Sequence, residues 1–322
     1  MNAAPRRVAA FDLGTNTFLA LVAELDEHGA LRVIGDAFVT PRLGAGLAST
    51  GRIEAAAMER GVAALRELSA FVAKHGVAPA DVHAVGTAVF RRAANSDEFV
   101  ALARSACGLS IEVVSGELEA ELSYTAAVSA LRAAGHDANV TAGDVGVIDV
   151  GGGSTELIWD GGRSRVSADV GALVLSERHL GAGAESAWPD EAWREARVEI
   201  RRALERALAG AHPHRDAARR SIVVLGGTAA NLACLELGFE RFEPQRSEGR
   251  VLTRAGAARW SETLRVMSST RRLELPIESS RAAILPAGLA CVELALEAFG
   301  ADEAKASGRG LRYGLAWKIL RS

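Results

Sequence analysis

Two short strings in the sequence each join a β-prone run to an aspartate, glycines and hydroxyl residues. Residues 8–17 read VAAFDLGTNT, and residues 145–156 read VGVIDVGGGSTE. A carboxylate at a strand end can bind Mg²⁺, while turn N–H groups and hydroxyls can hold phosphate oxygens. One such string alone would fit a capped glycine-rich turn equally well. Its recurrence favours two phosphate-binding loops in a chain built from two related halves.

The candidate phosphate-binding residues in these loops are small or carry a hydroxyl or amide group: Thr15, Asn16, Thr17, Gly151, Gly152, Gly153, Ser154 and Thr155. A third string, IVVLGGT at residues 222–228, is typical of a strand and a glycine turn before a helix over residues 229–237. It adds Gly227 and Thr228 to the candidates.

Three glutamates, Glu117, Glu119 and Glu121, occupy the start of a helix that follows a predicted strand at residues 111–114. Acidic residues in a first turn usually compensate the helix dipole. Positions two residues apart differ by about 200° of helix rotation, so the three carboxylates cannot share one face. Spacing alone therefore leaves open three solvated caps or one carboxylate that points into a cleft.

Arg91 and Arg92 follow a short predicted strand at residues 82–85. An arginine guanidinium can stabilise the charge that develops on a transferred phosphoryl group. A solvated surface pair is the alternative that the local sequence also allows.

Strands and helices alternate around these strings, which indicates an α/β fold. Residues 18–24 and 31–39 alternate like a hairpin around His28-Gly29, and residues 157–159 and 164–168 repeat that pattern around residues 160–162. Apolar residues recur at helical spacing in five further segments: 53–75, 97–106, 187–208, 257–267 and 289–299.

The composition is that of a soluble globular protein, with 49% hydrophobic and 24% charged residues among 322. That length allows two domain-sized cores. Because 37 basic side chains face 40 acidic ones, the net charge of -3 gives no general attraction to nucleic acid or anionic membranes. We expect no nucleic-acid partner, and a polyanion site that is local.

We expect neither secretion nor a membrane span from this sequence. The three cysteines are widely spaced without a CxxC pair, so neither a disulfide framework nor a zinc site is expected. The apolar run at residues 8–11, between Arg6-Arg7 and Asp12, is too short for a signal peptide. Residues 282–301 are interrupted by Pro286, Glu293 and Glu297, which argues against a membrane span. These features favour a cytoplasmic protein.

Taken in order, the strings resemble the exopolyphosphatase and guanosine pentaphosphate phosphohydrolase (Ppx/GppA) family of the actin, Hsp70 and sugar kinase superfamily. The specific matches are DLGTNT at 12–17, GTAVFR at 86–91 with Asn95, SGELEA at 115–120 and DVGGGSTE at 149–156. Weaker matches are GGT at 226–228, RAAI at 281–284 and GLR at 310–312.

This resemblance implies an α/β protein with two ribonuclease H-like (actin-like ATPase) domains and an active site in the interdomain cleft. Domain I is expected at residues 1–124 and domain II at 125–303. A final helix, at about 304–322, is expected to pack on domain I. Relatives often form dimers, so a homodimer is a further implication.

The resemblance also assigns roles. Glu119 corresponds to the family's general base and Arg91 to a substrate-contacting arginine. Asp12, Asp149 and Glu156 correspond to acidic residues linked to Mg²⁺, or to another divalent cation in its place. The implied activity is an exopolyphosphatase, which removes terminal phosphate from inorganic polyphosphate. Longer relatives add an HD-like domain that this sequence lacks, so we expect shorter chains to be preferred.

Three alternatives remain open. Hydrolysis of guanosine pentaphosphate would use the same loops and the same base. A sugar-kinase-like phosphotransferase shares the hairpin loops of the superfamily. A non-catalytic polyphosphate or nucleotide sensor is kept open by four departures from the family pattern, which lie outside the central catalytic strings: Ala88 for Ser, Ala283 for an acid, Glu248 for His and Tyr313 for Glu.

Overall fold

The protein was analysed as a computed structural model, which describes residues 5–133, 144–181, 186–211 and 221–322. The chain divides into two compact units. Unit 1 comprises Met1–Leu122 with Leu311–Ser322, and unit 2 comprises Ser123–Gly310. The first division falls inside a helix, Gly116–Ala133, rather than in a linker.

The described residues form these strands: β1 Arg7–Leu13, β2 Phe18–Leu25, β3 Leu31–Val39, β4 Val82–Gly86, β5 Ile111–Val113, β6 Val145–Val150, β7 Thr155–Trp159, β8 Ser164–Ala168, β9 Ser221–Leu225, β10 Val251–Thr253 and β11 Glu303–Ser307. The helices are α1 Leu47–Thr50, α2 Ala55–Ala73, α3 Ala88–Arg92, α4 Ser96–Cys107, α5 Gly116–Ala133, α6 Ala172–Leu180, α7 Asp190–Ala207, α8 Gly226–Glu236, α9 Arg254–Arg265, α10 Ser269–Arg272, α11 Leu285–Phe299 and α12 Leu311–Arg321.

Unit 1 is built on a five-stranded sheet in the order β3-β2-β1-β4-β5. β2 runs antiparallel to both β1 and β3, while β4 and β5 are parallel to β1. The predicted hairpin is confirmed. Its turn needs glycine at position 29, where φ is 73°, and Asp26 Oδ1 accepts hydrogen bonds from the N–H groups of His28 and Ala30.

The two faces of this sheet bury different elements because successive strand residues point to opposite sides. Phe11 and Leu13 of β1 share a core with α2 and α4, in which the Phe18 and Phe99 rings lie 6.1 Å apart. Helix α12 packs on β1 and β2. The last helix therefore belongs to unit 1 although 188 residues of unit 2 separate it in sequence (310 − 123 + 1).

Unit 2 repeats this arrangement and extends it. Its six-stranded sheet has the order β10-β11-β9-β6-β7-β8, with β10 added antiparallel at the β11 edge. β7 runs antiparallel to β6 and β8, and β9 is parallel to β6 and β11. The strands β8-β7-β6-β9-β11 follow the same order as β3-β2-β1-β4-β5 in unit 1. The predicted duplication is therefore confirmed.

Helix α11 is the central helix of unit 2 and buries most of its length against α6, α7 and α9. It begins earlier than the periodicity indicated, at Leu285 rather than residue 289. Pro286 is tolerated because the first-turn N–H groups of a helix have no intrahelical partner. Gly300, at φ 66°, ends the helix in the left-handed conformation.

One element was predicted wrongly in a way that concerns the site. The GGT string is no turn, because α8 already begins at Gly226. Gly226 itself has φ 83°, so the glycine correctly indicated a backbone conformation that favours glycine, but this glycine begins a helix and not a turn.

The described residues include no helix with the length and apolar content needed to cross a bilayer.

The contact between α12 and α5 depends on the absence of a side chain at Gly314. A Cβ there would overlap the carbonyl oxygen of Leu122 and lie 2.7 Å from its carbonyl carbon. We predict that Gly314→Ala lowers the free energy of unfolding by about 1–3 kcal/mol, the usual cost of overpacking. Urea denaturation measures it. Gly116→Ala is the control, because a Cβ at that position meets nothing within 4 Å. Equal stability of both variants would contradict the close packing.

Candidate functional site

In unit 1 the loop between β1 and β2 is a tight turn braced by a later segment. The N–H of Gly14 donates to the carbonyl of Thr17 at 3.1 Å. The carbonyl of Thr15 accepts from the N–H of Gly44 at 2.9 Å, and that of Asn16 accepts from the N–H of Arg42 at 3.0 Å. Both sides of the turn are therefore fixed by backbone hydrogen bonds.

The side chains of this loop are mostly buried. Asn16 Nδ2 donates to Thr17 Oγ1 at 3.2 Å, while Asn16 Oδ1 is buried and, among the described residues, has no hydrogen-bond partner. A buried acceptor without a donor usually indicates a water, ion or ligand. Asp12 lies one residue from the end of β1 and is half-buried.

The predicted base and the predicted arginine meet in unit 1. Arg91 Nη1 donates to Glu119 Oε2 at 2.7 Å and to the carbonyl of Val114 at 2.9 Å. Both side chains are sheltered, with 28% of Arg91 and 14% of Glu119 exposed. Arg91 lies in α3 rather than directly after a strand, and Ser115 Oγ accepts from the N–H of Leu118 at the start of α5.

Glu119 differs from the two glutamates beside it. Glu121 pairs with Lys318 at 3.3 Å and has 60% of its side chain exposed, and Glu117 is exposed as well. The structure therefore favours the alternative with one sheltered carboxylate over three solvated caps.

The loop of unit 2 has the same backbone design. The N–H of Gly151 donates to the carbonyl of Ser154 at 2.9 Å, as Gly14 does to Thr17. The carbonyl of Gly152 accepts from the N–H groups of Leu173 and Val174 at 2.9 and 3.0 Å, so the start of α6 braces this turn. Thr155 is fully buried, and its Oγ1 donates to the carbonyl of Val170 at 2.7 Å.

Gly171 makes this bracing possible. A Cβ there would lie 2.6 Å from the carbonyl carbon and 2.7 Å from the oxygen of Gly152. Both are backbone atoms, so neither can rotate away. Sequence reasoning made no prediction for Gly171, although this residue directly precedes α6.

Two carboxylates lie opposite one another where β6 pairs with β7, because Asp149 is in register with Glu156. Ser123 Oγ donates to Asp149 Oδ2 at 3.0 Å, and Ser167 Oγ donates to Glu156 Oε1 at 2.9 Å. Burial raises the pKa of Asp149, while the Ser123 hydroxyl and the Arg281 cation act in the lowering direction.

Arg281 is a member of this cluster that sequence reasoning nearly missed. Its guanidinium packs directly over Gly227, where a Cβ would overlap Nε. Nε donates to Glu278 Oε2 at 3.0 Å. Asn231 links the two segments. Its Nδ2 donates to the carbonyl of Gly227, and its Oδ1 accepts from the N–H of Glu278, each at 2.7 Å. Only the weak RAAI match had drawn attention to this position.

Of the predicted Mg²⁺ residues, unit 2 contains Asp149 and Glu156, and unit 1 contains Asp12. Within the described ranges, no group of three or more His, Cys, Asp or Glu side chains could hold a metal ion. Mg²⁺ commonly binds through one or two carboxylates together with substrate phosphates, and it prefers oxygen ligands. The Asp149–Glu156 pair fits that requirement.

Comparison with known proteins identifies the family. The profile of the Ppx/GppA phosphatase family matches residues 21–322. The chain belongs to this family. Among curated Ppx/GppA relatives, the guanosine-5'-triphosphate,3'-diphosphate pyrophosphatase of Aeromonas hydrophila is 31% identical over 320 residues, which is 97% of this chain and 59% of the relative. The protein of the same name from Aeromonas salmonicida is 30% identical, with 97% and 59% covered.

The chain thus spans about three fifths of the length of these relatives, 59% in each case. The crystal structure of the Aquifex aeolicus Ppx/GppA family member is 28% identical, with a TM-score of 0.75 over 99% of this chain and 98% of that one. An exopolyphosphatase from Cytophaga hutchinsonii shares the fold, at 20% identity and a TM-score of 0.80 over 98% of both chains. The predicted class, two ribonuclease H-like (actin-like ATPase) domains, is confirmed.

The departures from the family pattern have local structural partners. Glu248 accepts from Ser307 Oγ at 2.8 Å and from the N–H of Gly308 at 3.0 Å. Tyr313 donates its hydroxyl to Asp36 at 2.9 Å. Ala283 packs beside Ala172 and Leu173 in a small apolar cluster.

Further partners fix the segment around these departures. Arg312 forms a two-point ion pair with Asp36, at 2.9 and 2.8 Å. Ala88 is buried at the start of α3.

The buried position of Asp149 predicts a pH effect on stability. Because folding raises the pKa of Asp149, the protonated carboxyl stabilises the folded state. That stability is fully present below the pKa of the unfolded chain and is lost as pH rises through the pKa of the folded protein. We predict that, with a metal chelator present, Asp149→Asn becomes progressively more stable than the wild type as pH rises. Urea unfolding from about pH 4 to about pH 8 tests this.

Asp97→Asn is the matched control for this measurement. Asp97 is an exposed carboxylate in the first turn of α4, where a negative charge interacts favourably with the helix dipole. Its removal should bring no gain as pH rises. A stability difference for Asp149→Asn that stays flat or shrinks with rising pH would show that the carboxylate is well solvated.

Proposed function

We propose that the chain hydrolyses a terminal phosphoanhydride bond, with guanosine pentaphosphate as the preferred substrate. The observation that carries the hydrolase proposal is the sheltered Glu119 carboxylate, held by Arg91 at the start of α5. The substrate preference is supported by the curated relatives, whose printed name specifies guanosine 5'-triphosphate 3'-diphosphate. This reverses the order expected from the sequence, which placed inorganic polyphosphate first.

Glu119 is the proton acceptor in this proposal. A water attacks the terminal phosphorus, a new P–O bond forms, the bond to the bridging oxygen breaks, and the water's proton passes to Glu119. Arg91 carries a positive charge beside this carboxylate, and a terminal phosphate provides a second anionic partner for it. Holding both groups in place before the substrate arrives reduces the entropy lost on reaching the transition state.

The unit 2 residues supply phosphate binding and charge neutralisation. A glycine-rich loop such as residues 151–153 can supply backbone donors to phosphate oxygens, while the Gly151 N–H itself closes the turn on the carbonyl of Ser154. Arg281 adds a cation near Asp149. Asp149 and Glu156 would hold Mg²⁺, which neutralises phosphate charge when bound. Thr155 and Thr228 are buried, so they shape the loops from behind rather than offering a hydroxyl at the surface.

Inorganic polyphosphate is the second candidate substrate. The residues assigned above contact phosphate groups, carboxylates or backbone, and phosphate chemistry is common to both substrates. A comparison of kcat/KM for guanosine pentaphosphate and tripolyphosphate decides between them. A higher value for tripolyphosphate would restore the first expectation from the sequence.

Replacing the proposed base tests the mechanism. We predict that Glu119→Gln lowers kcat by roughly 10²- to 10⁴-fold, the typical contribution of a general base. The amide oxygen can still accept from Arg91, so the affinity for substrate should stay close to that of the wild type. Phosphate release gives kcat, and isothermal titration gives the dissociation constant.

Glu121→Gln is the matched control on the same helix, because Glu121 is exposed and pairs with Lys318. It should keep kcat within about twofold of the wild type, as surface changes usually do. Equal activity of Glu119→Gln and the wild type would reject Glu119 as the base. Substrate binding without any phosphate release by the wild type would instead identify a sensor.

A further inference from the structure

Arg272 is a buried cation that the proposed mechanism does not use. It lies at the end of α10, and 0% of its surface is exposed. Among the described residues, no carboxylate forms an ion pair with it, and its Nη2 has no hydrogen-bond partner. Burial lowers the pKa of Arg272 to about 10, so the side chain remains charged at neutral pH.

All of its hydrogen bonds go to backbone carbonyls. Nε donates to the carbonyl of Leu264 at 2.8 Å, and Nη1 donates to those of Ala282 and Ala283 at 2.7 and 3.2 Å. Leu264 lies in the last turn of α9, and its carbonyl also accepts from the N–H of Met267 at 3.1 Å. The guanidinium therefore links the end of α9 to residues 282 and 283.

The Ala282 carbonyl has a particular need for this donor. Pro286, four residues later in the first turn of α11, has no N–H to offer it. An apolar side chain could fill the same volume without the cost of burying a charge. It could not donate to three carbonyls on two segments at once.

The segment held in this way carries Arg281. The N–H of Ile284 donates to the carbonyl of Arg281 at 2.9 Å, and the N–H of Arg281 donates to that of Glu278 at 2.9 Å. The Arg281 guanidinium lies over Gly227 and is close enough to Asp149 to oppose the rise in its pKa. A shift of residues 282–283 would therefore move a cation within the phosphate site.

We propose that Arg272 is a positioning residue that sets the place of Arg281 through the Ala282 and Ala283 carbonyls. This inference rests on the proposed function, because it gives Arg281 a phosphate-binding role. Arg272 touches neither substrate nor Mg²⁺ and acts only through the segment that it holds. The geometry requires a bidentate donor at this position, so a lysine cannot replace it.

The first test measures the held segment directly. Arg272→Met preserves side-chain length and removes the donors, and Arg271→Met changes the exposed neighbour on the same helix as a control. Hydrogen exchange should become faster in residues 279–285 of Arg272→Met, where the N–H groups of Ala282 and Ile284 are bonded within the turn. It should be unchanged in Arg271→Met. Unchanged exchange in both variants would overturn the proposal.

The second test is a double-mutant cycle with Arg281→Ala. In the wild-type background, Arg272→Met should lower kcat/KM by roughly 10- to 100-fold, as expected for a misplaced binding group. In the Arg281→Ala background it should lower kcat/KM by no more than about twofold, because the group that Arg272 positions is already missing and the two effects are coupled. The same loss in both backgrounds would show that Arg272 acts on overall stability and not through Arg281.

Two additions keep these tests decisive. Arg272→Lys keeps the charge but cannot bridge both segments, and it replaces Arg272→Met in both tests if the methionine variant fails to fold. The four proteins of the cycle are also compared by their dissociation constants for tripolyphosphate, measured in the presence of a metal chelator. A wild type without hydrolysis would reject the proposed function, whereas exchange and binding would still decide the role of Arg272.

Discussion

The hydrogen bond that closes each glycine-containing loop is the constraint on which the rest of the structure depends. In both units the first N–H of the loop bonds the carbonyl three residues later, and a segment further along the chain bonds the loop from behind. Such turns of backbone N–H groups are a common way for a protein to bind an anion. It also requires backbone atoms to approach closely, which is why a Cβ at Gly171 would meet Gly152.

The duplicated sheets explain why the two loops are alike and the chemical groups near them are not. Each loop joins a central strand to an antiparallel neighbour, after Leu13 in one unit and after Val150 in the other. The surrounding elements have diverged. Unit 1 adds the Arg91–Glu119 ion pair, and unit 2 adds Asp149 opposite Glu156, so similar frames carry an arginine–carboxylate pair in one case and two neighbouring carboxylates in the other.

Local sequence patterns predicted the strands and helices whose formation depends on residues close together in sequence. Alternation identified the hairpins, and apolar spacing identified α2, because both signals arise within one element. β11, with the sequence EAKAS, was wrongly included in the final helix expected at about 304–322, because its burial is created by β9 and β10 on either side. Ser123 and Arg281 escaped for the same reason, since their relation to Asp149 depends on tertiary packing. Glu119 could be selected only by the family pattern, because its spacing alone allowed three solvated caps.

Among the described residues, unit 2 has two buried ionisable groups without full compensation: Asp149 in the candidate site, and Arg272, which bonds the carbonyls of a neighbouring segment. Asp149 has a hydroxyl donor and a nearby arginine, yet burial still raises its pKa. Arg272 has carbonyl partners alone. A sequence selected only for stability would replace either with an apolar residue of similar size. A buried carboxylate binds a cation more strongly than a solvated one, because less water must be displaced and the local dielectric is low. Under the proposed function, the energetic cost of ionising the buried Asp149 would be offset by a bound metal ion.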